Sequence, residues 1–205
     1  MGFYDRYILP KFLACACGAK PIAKQRAKVV PRAQGRVLEL GMGGGLNLAF
    51  YDPAKVSVVE GVDPSAELRA LAEAAPRPEG LKVALQAGRA EALPFEDNSF
   101  DTVVCTFTLC SVGDGAAALA EARRVLKPTG SFLFCEHGLA PDADVVKWQR
   151  RIEPVWKALA GGCHLTRPVS TAITAAGFTL ADLQTMYLPG TPRFAGWNEW
   201  GSAKA

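Results

Sequence analysis

Histidine is scarce in this chain, with two in 205 residues. Acid–base work near neutral pH would therefore fall to His137 or His164, because imidazole is the side chain that ordinarily titrates in that range. The six cysteines, Cys15, Cys17, Cys105, Cys110, Cys135 and Cys163, include no C-x-x-C pair. Nothing in their spacing asks for a metal, and none is expected. Three of them sit in or beside apolar strand-like runs, which reads as buried free thiols in a reducing cytoplasm. No stretch approaches the roughly 18 uninterrupted apolar residues that a spanning helix needs. Net charge is only +3, the basic residues are scattered, and no aromatic–basic platform is evident, so nucleic acid is not expected as a partner.

What the chain does have is enough apolar content, 49%, to bury a sizeable core in one domain-length unit. Strand and helix patterns alternate, the signature of an α/β fold with a doubly wound, mostly parallel sheet and helices on both faces. Strands are expected at 36–40, 56–62, 81–86, 100–106, 130–136, 180–187 and 194–204. Helices are expected near 45–51, 65–75, 115–126, 142–158 and 168–176. Asp63-Pro-Ser65 marks a helix start, Lys127-Pro-Thr-Gly130 a helix end, and Gly177 a left-handed cap. The last two strands meet through Leu188-Pro-Gly-Thr-Pro192 without an intervening helix, which predicts an antiparallel hairpin at the sheet edge.

The richest stretch is Arg36-Val-Leu-Glu-Leu-Gly-Met-Gly-Gly-Gly45, a strand that runs through an acidic residue into four glycines. Such glycines let backbone approach a ligand closely and adopt positive φ. A second strand ends at Asp63, at the spacing where doubly wound folds place a carboxylate for ribose hydroxyls. The cofactor follows from charge. A pyrophosphate fingerprint would have a third glycine where Leu46 stands, and Glu39 would repel the phosphates, which argues against an NAD-linked oxidoreductase. A carboxylate there suits a ligand with a cationic amine and a sulfonium, namely S-adenosylmethionine (SAM). The competing reading is a glycine turn that serves only strand-to-helix packing.

With ELGMGGG (39–45), GVDPS (61–65), AEALPFEDNSFDTVV (90–104) and RRVLKPTGSFLFCEHG (123–138), residues 35–205 resemble the class I SAM-dependent methyltransferase family of the UbiE-like kind. The resemblance implies a Rossmann-like sheet of seven strands with an antiparallel last strand. It also places Glu39, Gly41, Gly43 and Gly45 around the methionine portion, Asp63 at the ribose, and Pro64, Ala90 and Glu91 at the adenine. Thr106, Thr108 and Cys110, at and beyond the end of the fourth strand, fall within reach of the cofactor methionine. Cys110 reads equally as a small apolar filler. Many family members carry an acidic residue at position 89; Arg89 departs from that pattern. The segment 148–167, preceded by CEHG, is similar to thiol S-methyltransferases and to bacterial phospholipid N-methyltransferases. Both a small thiol and phosphatidylethanolamine therefore stand as acceptors, with a SAM-binding module without turnover as the reading from another class.

Methyl transfer from a sulfonium mainly requires a nucleophile held in line with the leaving sulfur. His137, at the carboxyl end of the fifth strand, and His164, in a glycine-started loop, are the candidate bases; each also reads as a plain loop-stabilising residue. Glu136, Trp148, Trp156 and Arg167 are candidate acceptor contacts, against defaults of loop anchoring, core packing and solvation. Residues 1–34 are expected to form a separate helical segment, aromatic and then basic, ahead of the domain at 35–205. There Tyr4 and Tyr7 close over the acceptor as a lid or pack on the core, or else the segment lies on anionic lipid as a peripheral contact.

Overall fold

Strands that are apolar on both faces dictate the architecture. The computed structural model describes Leu9 and residues 16–205. Seven strands, β1 Gly35–Leu40, β2 Val56–Val62, β3 Val83–Gln86, β4 Phe100–Thr106, β5 Leu126–His137, β6 Thr179–Tyr187 and β7 Trp197–Lys204, form one sheet in the order β3-β2-β1-β4-β5-β7-β6. The first five pair in parallel, whereas β7 runs antiparallel to both β5 and β6. β7 slots between its neighbours and leaves β6 as the edge strand.

Successive strand residues point to opposite faces, and here each face has its own core. Val103 and Cys105 of β4 join Leu38, Phe132 and Phe134 on one side, under helices α3 (Gly115–Val125) and α5 (Val169–Ala175). Val104 joins Val37, Val59 and Leu133 on the other, under α1 (Lys20–Val29) and α2 (Ala66–Ala74). Burial on both faces explains why these strands read as nearly continuous apolar runs. A longer helix, α4 (Ala143–Leu159), packs against the four-residue turn α6 (Arg193–Gly196). Among the described residues no helix is long and apolar enough to cross a membrane.

Local chemistry sets the boundaries. Ser65 caps α2 by accepting from the Leu68 amide at 3.1 Å, Asp114 caps α3 by accepting from Ala116 and Ala117, and Gly177 takes a φ of +88° after α5. The helix expected at 45–51 does not form; the chain turns through 41–47 and makes a single 3-10 turn at Leu48–Phe50. Gly41, Gly43 and Gly45 all hold positive φ, which is incompatible with a right-handed helix start. The last strand begins at Trp197 rather than 194, because the chain makes a helical turn after Pro192. β5 begins earlier than expected, at Leu126, and a register shift before Ser131 accommodates Pro128 and Gly130. Helix α1 lies within the 1–34 segment expected to be helical, and it packs against β5 and β7.

This topology delivers Gly41 after β1, Asp63 after β2, Phe107 after β4 and His137 at the end of β5 to the carboxyl edge of the sheet. That is where open α/β sheets bind ligands.

Candidate functional site

A cavity of about 600 Å³ opens at that edge, a size ordinary for a small-molecule site. Gly41, Gly43, Asp63, Pro64, Ala90, Glu91, Thr106, Cys110, His137 and Trp156 all line it. The three positive-φ glycines among the four in the turn have different reasons for being glycine. A side chain at Gly41 would collide with Thr108, and one at Gly45 would meet Ala75 Cβ at 2.9 Å and the Ala72 backbone at 3.0 Å in α2. At Gly43 the nearest atom to an added Cβ is the Gly41 carbonyl oxygen at 3.9 Å, so that position faces open space. Gly43 is thus the glycine whose missing side chain leaves room for a ligand, while Gly45 does not line the cavity.

Asp63 fixes the geometry of the same turn. Its Oδ2 accepts from the Gly43 amide at 2.9 Å and its Oδ1 from the Ser65 amide at 2.8 Å, each oxygen keeping capacity for a further donor. Burial raises its carboxyl above the usual range, and the two amides oppose that rise. Glu91 anchors the opposite wall by accepting from the amides of Gly113 at 2.8 Å and Asp114 at 3.3 Å. Burial would raise the Glu91 carboxyl, yet these amides and Arg89 hold it below the usual carboxylate range.

Glu39 lies beneath the turn and does not line the cavity. It accepts from Tyr51 Oη at 2.6 Å and Asn47 Nδ2 at 2.9 Å, and burial pushes its carboxyl up to about 7. Its link to the cavity runs through Asn47, whose Oδ1 accepts from Arg26 Nη1 at 2.7 Å. Arg26 also donates to Thr106 Oγ1 at 2.5 Å and lines the cavity, with its Nε finding no partner among the described residues. A buried guanidinium with a free donor is thus available to an anionic ligand group.

The other end of the cavity is built on a strained turn. Phe107, just past β4, holds a φ of +52°, an uncommon conformation for a bulky residue. Glu136 keeps the turn in place: fully buried, its Oε1 accepts from the Thr108 amide at 2.7 Å and the Leu109 amide at 3.1 Å. It is a support for the wall and does not line the cavity. The Phe107 ring stacks with His137 at 6.5 Å between centroids. His137 Nε2 sits 3.0 Å from Cys163 Sγ, and Trp156 Nε1 donates to that sulfur at 3.3 Å. Burial would lower the His137 pKa, but Cys163 and the Glu136 charge turn the net shift upward. Contact with Cys110, then burial, pushes the Cys163 thiol well above its usual range.

The remaining candidates are elsewhere. His164 lies off the cavity, its Nδ1 3.2 Å from Glu153 Oε1. Arg167 turns its guanidinium onto the carbonyls of Leu109 and Val112, bracing the loop behind the cavity wall. Trp148 is 58% exposed on α4 and borders a separate, more open depression with Asp142 and Arg193, so it does not share a pocket with Trp156. Tyr4 and Tyr7 lie outside the described residues. Arg26, Asn47, Phe107 and Cys163 carry site geometry that no sequence motif announced. Cys163 adjoins the singled-out His164, the one local hint.

Comparison with known proteins bears on the family and the fold. Residues 38–134 match the methyltransferase domain family. The thiol S-methyltransferase TMT1B of Rattus norvegicus is 36% identical over 167 residues, covering 78% of this chain and 68% of that protein. The thiol S-methyltransferase TMT1A of Homo sapiens is 34% identical over 165 residues, covering 78% and 66% respectively. The chain therefore spans about two thirds of the length of these relatives. Among solved structures, a SAM-dependent methyltransferase from Thermotoga maritima superposes with a TM-score of 0.67 at 21% identity, covering 98% of this chain and 97% of that one, a likeness of fold.

Proposed function

The chain belongs to the family of SAM-dependent methyltransferases, and from that premise we propose that its acceptor is a small thiol. SAM is the methyl donor, and the residues present fit it. Gly43 leaves open space where a side chain would stand, Asp63 keeps acceptor capacity for ribose hydroxyls, and Arg26 has a free Nε for the methionine carboxylate. Pro64, Ala90 and Glu91 supply the wall for the adenine. Bound there, SAM supplies an activated methyl group on a sulfonium sulfur.

The observation that carries the thiol reading is the composition of the acceptor end. Phe107, Cys110, His137, Trp156, Cys163 and Leu188 line it, and the carboxylates that line the cavity among the described residues, Asp63 and Glu91, are tied to the turn and loop at the donor end. An apolar, sulfur-rich and aromatic wall suits a neutral thiol that ionises near its own pKa of about 8.5. A lipid amine arrives as a cation, which would call for a carboxylate. The thiol S-methyltransferase relatives support the same acceptor class. The protein's own work is placement: the Glu136-braced turn and the Arg167-braced loop hold the wall so that the acceptor sulfur stands in line with the methyl group.

An acceptor screen with methyl-labelled SAM tests this reading. Label should pass to alkyl thiols and hydrogen sulfide and not to phosphatidylethanolamine vesicles. Label in the lipid alone would sink the thiol reading, and SAM binding without transfer to any acceptor would favour a binding module.

A further inference from the structure

Cys110, His137 and Cys163 come from three separate elements, the loop after β4, the end of β5 and the turn after α4, yet their ligand atoms all lie within 4.8 Å of one another. In a tetrahedral zinc site with bonds of about 2.3 Å to sulfur and 2.0–2.1 Å to nitrogen, neighbouring donor atoms stand roughly 3.5–3.8 Å apart. Small side-chain rotations would bring these three atoms to that spacing. Two thiolates and an imidazole form a donor set that selects zinc over harder cations, and three protein ligands with one open position is the pattern of reactive rather than structural zinc.

The surroundings suit a metal as well. Trp156 Nε1 donates to Cys163 Sγ at 3.3 Å, the kind of outer contact that orients a ligating sulfur. The Cys110 carbonyl accepts from the His164 amide at 2.8 Å, which ties the loop carrying one ligand to the turn carrying another. All three donors line the cavity that also holds Gly43 and Asp63. An ion among them would border that same cavity.

We propose that Cys110, His137 and Cys163 bind one zinc ion whose fourth position takes the sulfur of the acceptor thiol. The acceptor half of this statement rests on the thiol reading above. Zinc binding releases the thiol protons of Cys110 and Cys163 to solvent. An entering R–SH gives up its proton to solvent on coordination and stays on the metal as thiolate. Its electron pair forms the new sulfur–carbon bond as the methyl–sulfonium bond breaks, and that bond's pair stays on the sulfur of S-adenosylhomocysteine. The product thioether is neutral and a weaker ligand, so it leaves; no oxidation state changes.

The test uses the full chain, reduced, stripped with chelator and titrated with cobalt(II), which absorbs in the visible when held tetrahedrally by thiolates. One equivalent should bind with that absorption, zinc should displace it, and added alkyl thiol should shift it. Cys110→Ser, Cys163→Ser and His137→Gln should each weaken cobalt binding at least tenfold, whereas Cys135→Ser, a buried thiol outside the cluster, should bind as wild type does. Absence of the thiolate absorption, its persistence in a Cys110→Ser/Cys163→Ser double variant, or a Cys110–Cys163 disulfide that persists under reductant would each overturn the site. Thiol methylation by cobalt-silent protein overturns the metal site and leaves the thiol reading standing. Cobalt binding that thiols do not perturb, in protein that methylates no thiol, overturns the acceptor role and the thiol reading together.

Discussion

Alanine at each of the three turn glycines separates ligand space from packing space. All three hold positive φ, so each substitution carries the left-handed penalty of about 1–2 kcal/mol. Gly41→Ala and Gly45→Ala add overlap with Thr108 or with Ala72 and Ala75, about 1–3 kcal/mol more. Gly43→Ala adds none in the free protein, because its new methyl meets nothing nearer than 3.9 Å. Its melting temperature should therefore fall by about 2–8 °C, at roughly 2–4 °C per kcal/mol for a chain of this size. The same methyl stands where the donor would lie, and forcing overlap there costs about 1–3 kcal/mol of binding, or about 5–150-fold in Kd. Thermal unfolding and calorimetric titration with SAM measure both quantities. The expected pattern is inverse: Gly43→Ala is the most stable and binds worst, while Gly45→Ala is less stable and keeps SAM affinity. If Gly43→Ala binds SAM within threefold of wild type, the turn does not cradle the donor.

Other perturbations follow from single contacts. Glu39 has an ordinary pKa of 4.5 and a folded value of about 7, so the native state holds a proton between those values that the unfolded chain has released. Its contribution to stability falls by about 3 kcal/mol as pH rises through that window. Glu39→Gln should flatten this slope in denaturant titrations from pH 4.5 to 8, and parallel curves for the two proteins would refute it. Arg167→Ala leaves the Leu109 and Val112 carbonyls without their donor and should cost about 1–3 kcal/mol, with faster SAM release in stopped flow; unchanged stability would mean that water replaces the guanidinium fully. Trp148→Ala, remote from the cavity and 58% exposed, should alter neither SAM affinity nor turnover, and a tenfold loss of either would place it back in the site.

The sheet was readable because its strands are buried on both faces and its helix caps carry their own chemistry, as at Ser65, Asp114 and Gly177. The turn after β1 was readable as a ligand site but not as a shape: the helical pattern at 45–51 yields to glycines in left-handed conformations and to Asn47, whose side chain bridges Glu39 and Arg26. Asp63 stood out by its distance from the glycines, and the structure joins the two through the Gly43 amide. The acceptor end was hardly legible. Phe107 and Cys163 reach His137 only through tertiary folding, and periodicity within one element says nothing about residues brought together from three. Glu39 and Glu136 show the reverse case. Both looked like ligand contacts, and both are buried supports one layer behind the wall, because a carboxylate at a strand end can face amides as readily as it faces a ligand.

The central claim, donor-dependent methylation of a thiol, is tested most directly by supplying SAM with a trideuterated methyl group and an alkyl thiol, then following both products by mass spectrometry. The account predicts trideuteromethyl thioether and S-adenosylhomocysteine forming in equal amounts, with both reduced about 5–150-fold in Gly43→Ala at limiting SAM. S-adenosylhomocysteine without the labelled thioether, or labelled thioether formed equally well by Gly43→Ala, would contradict it.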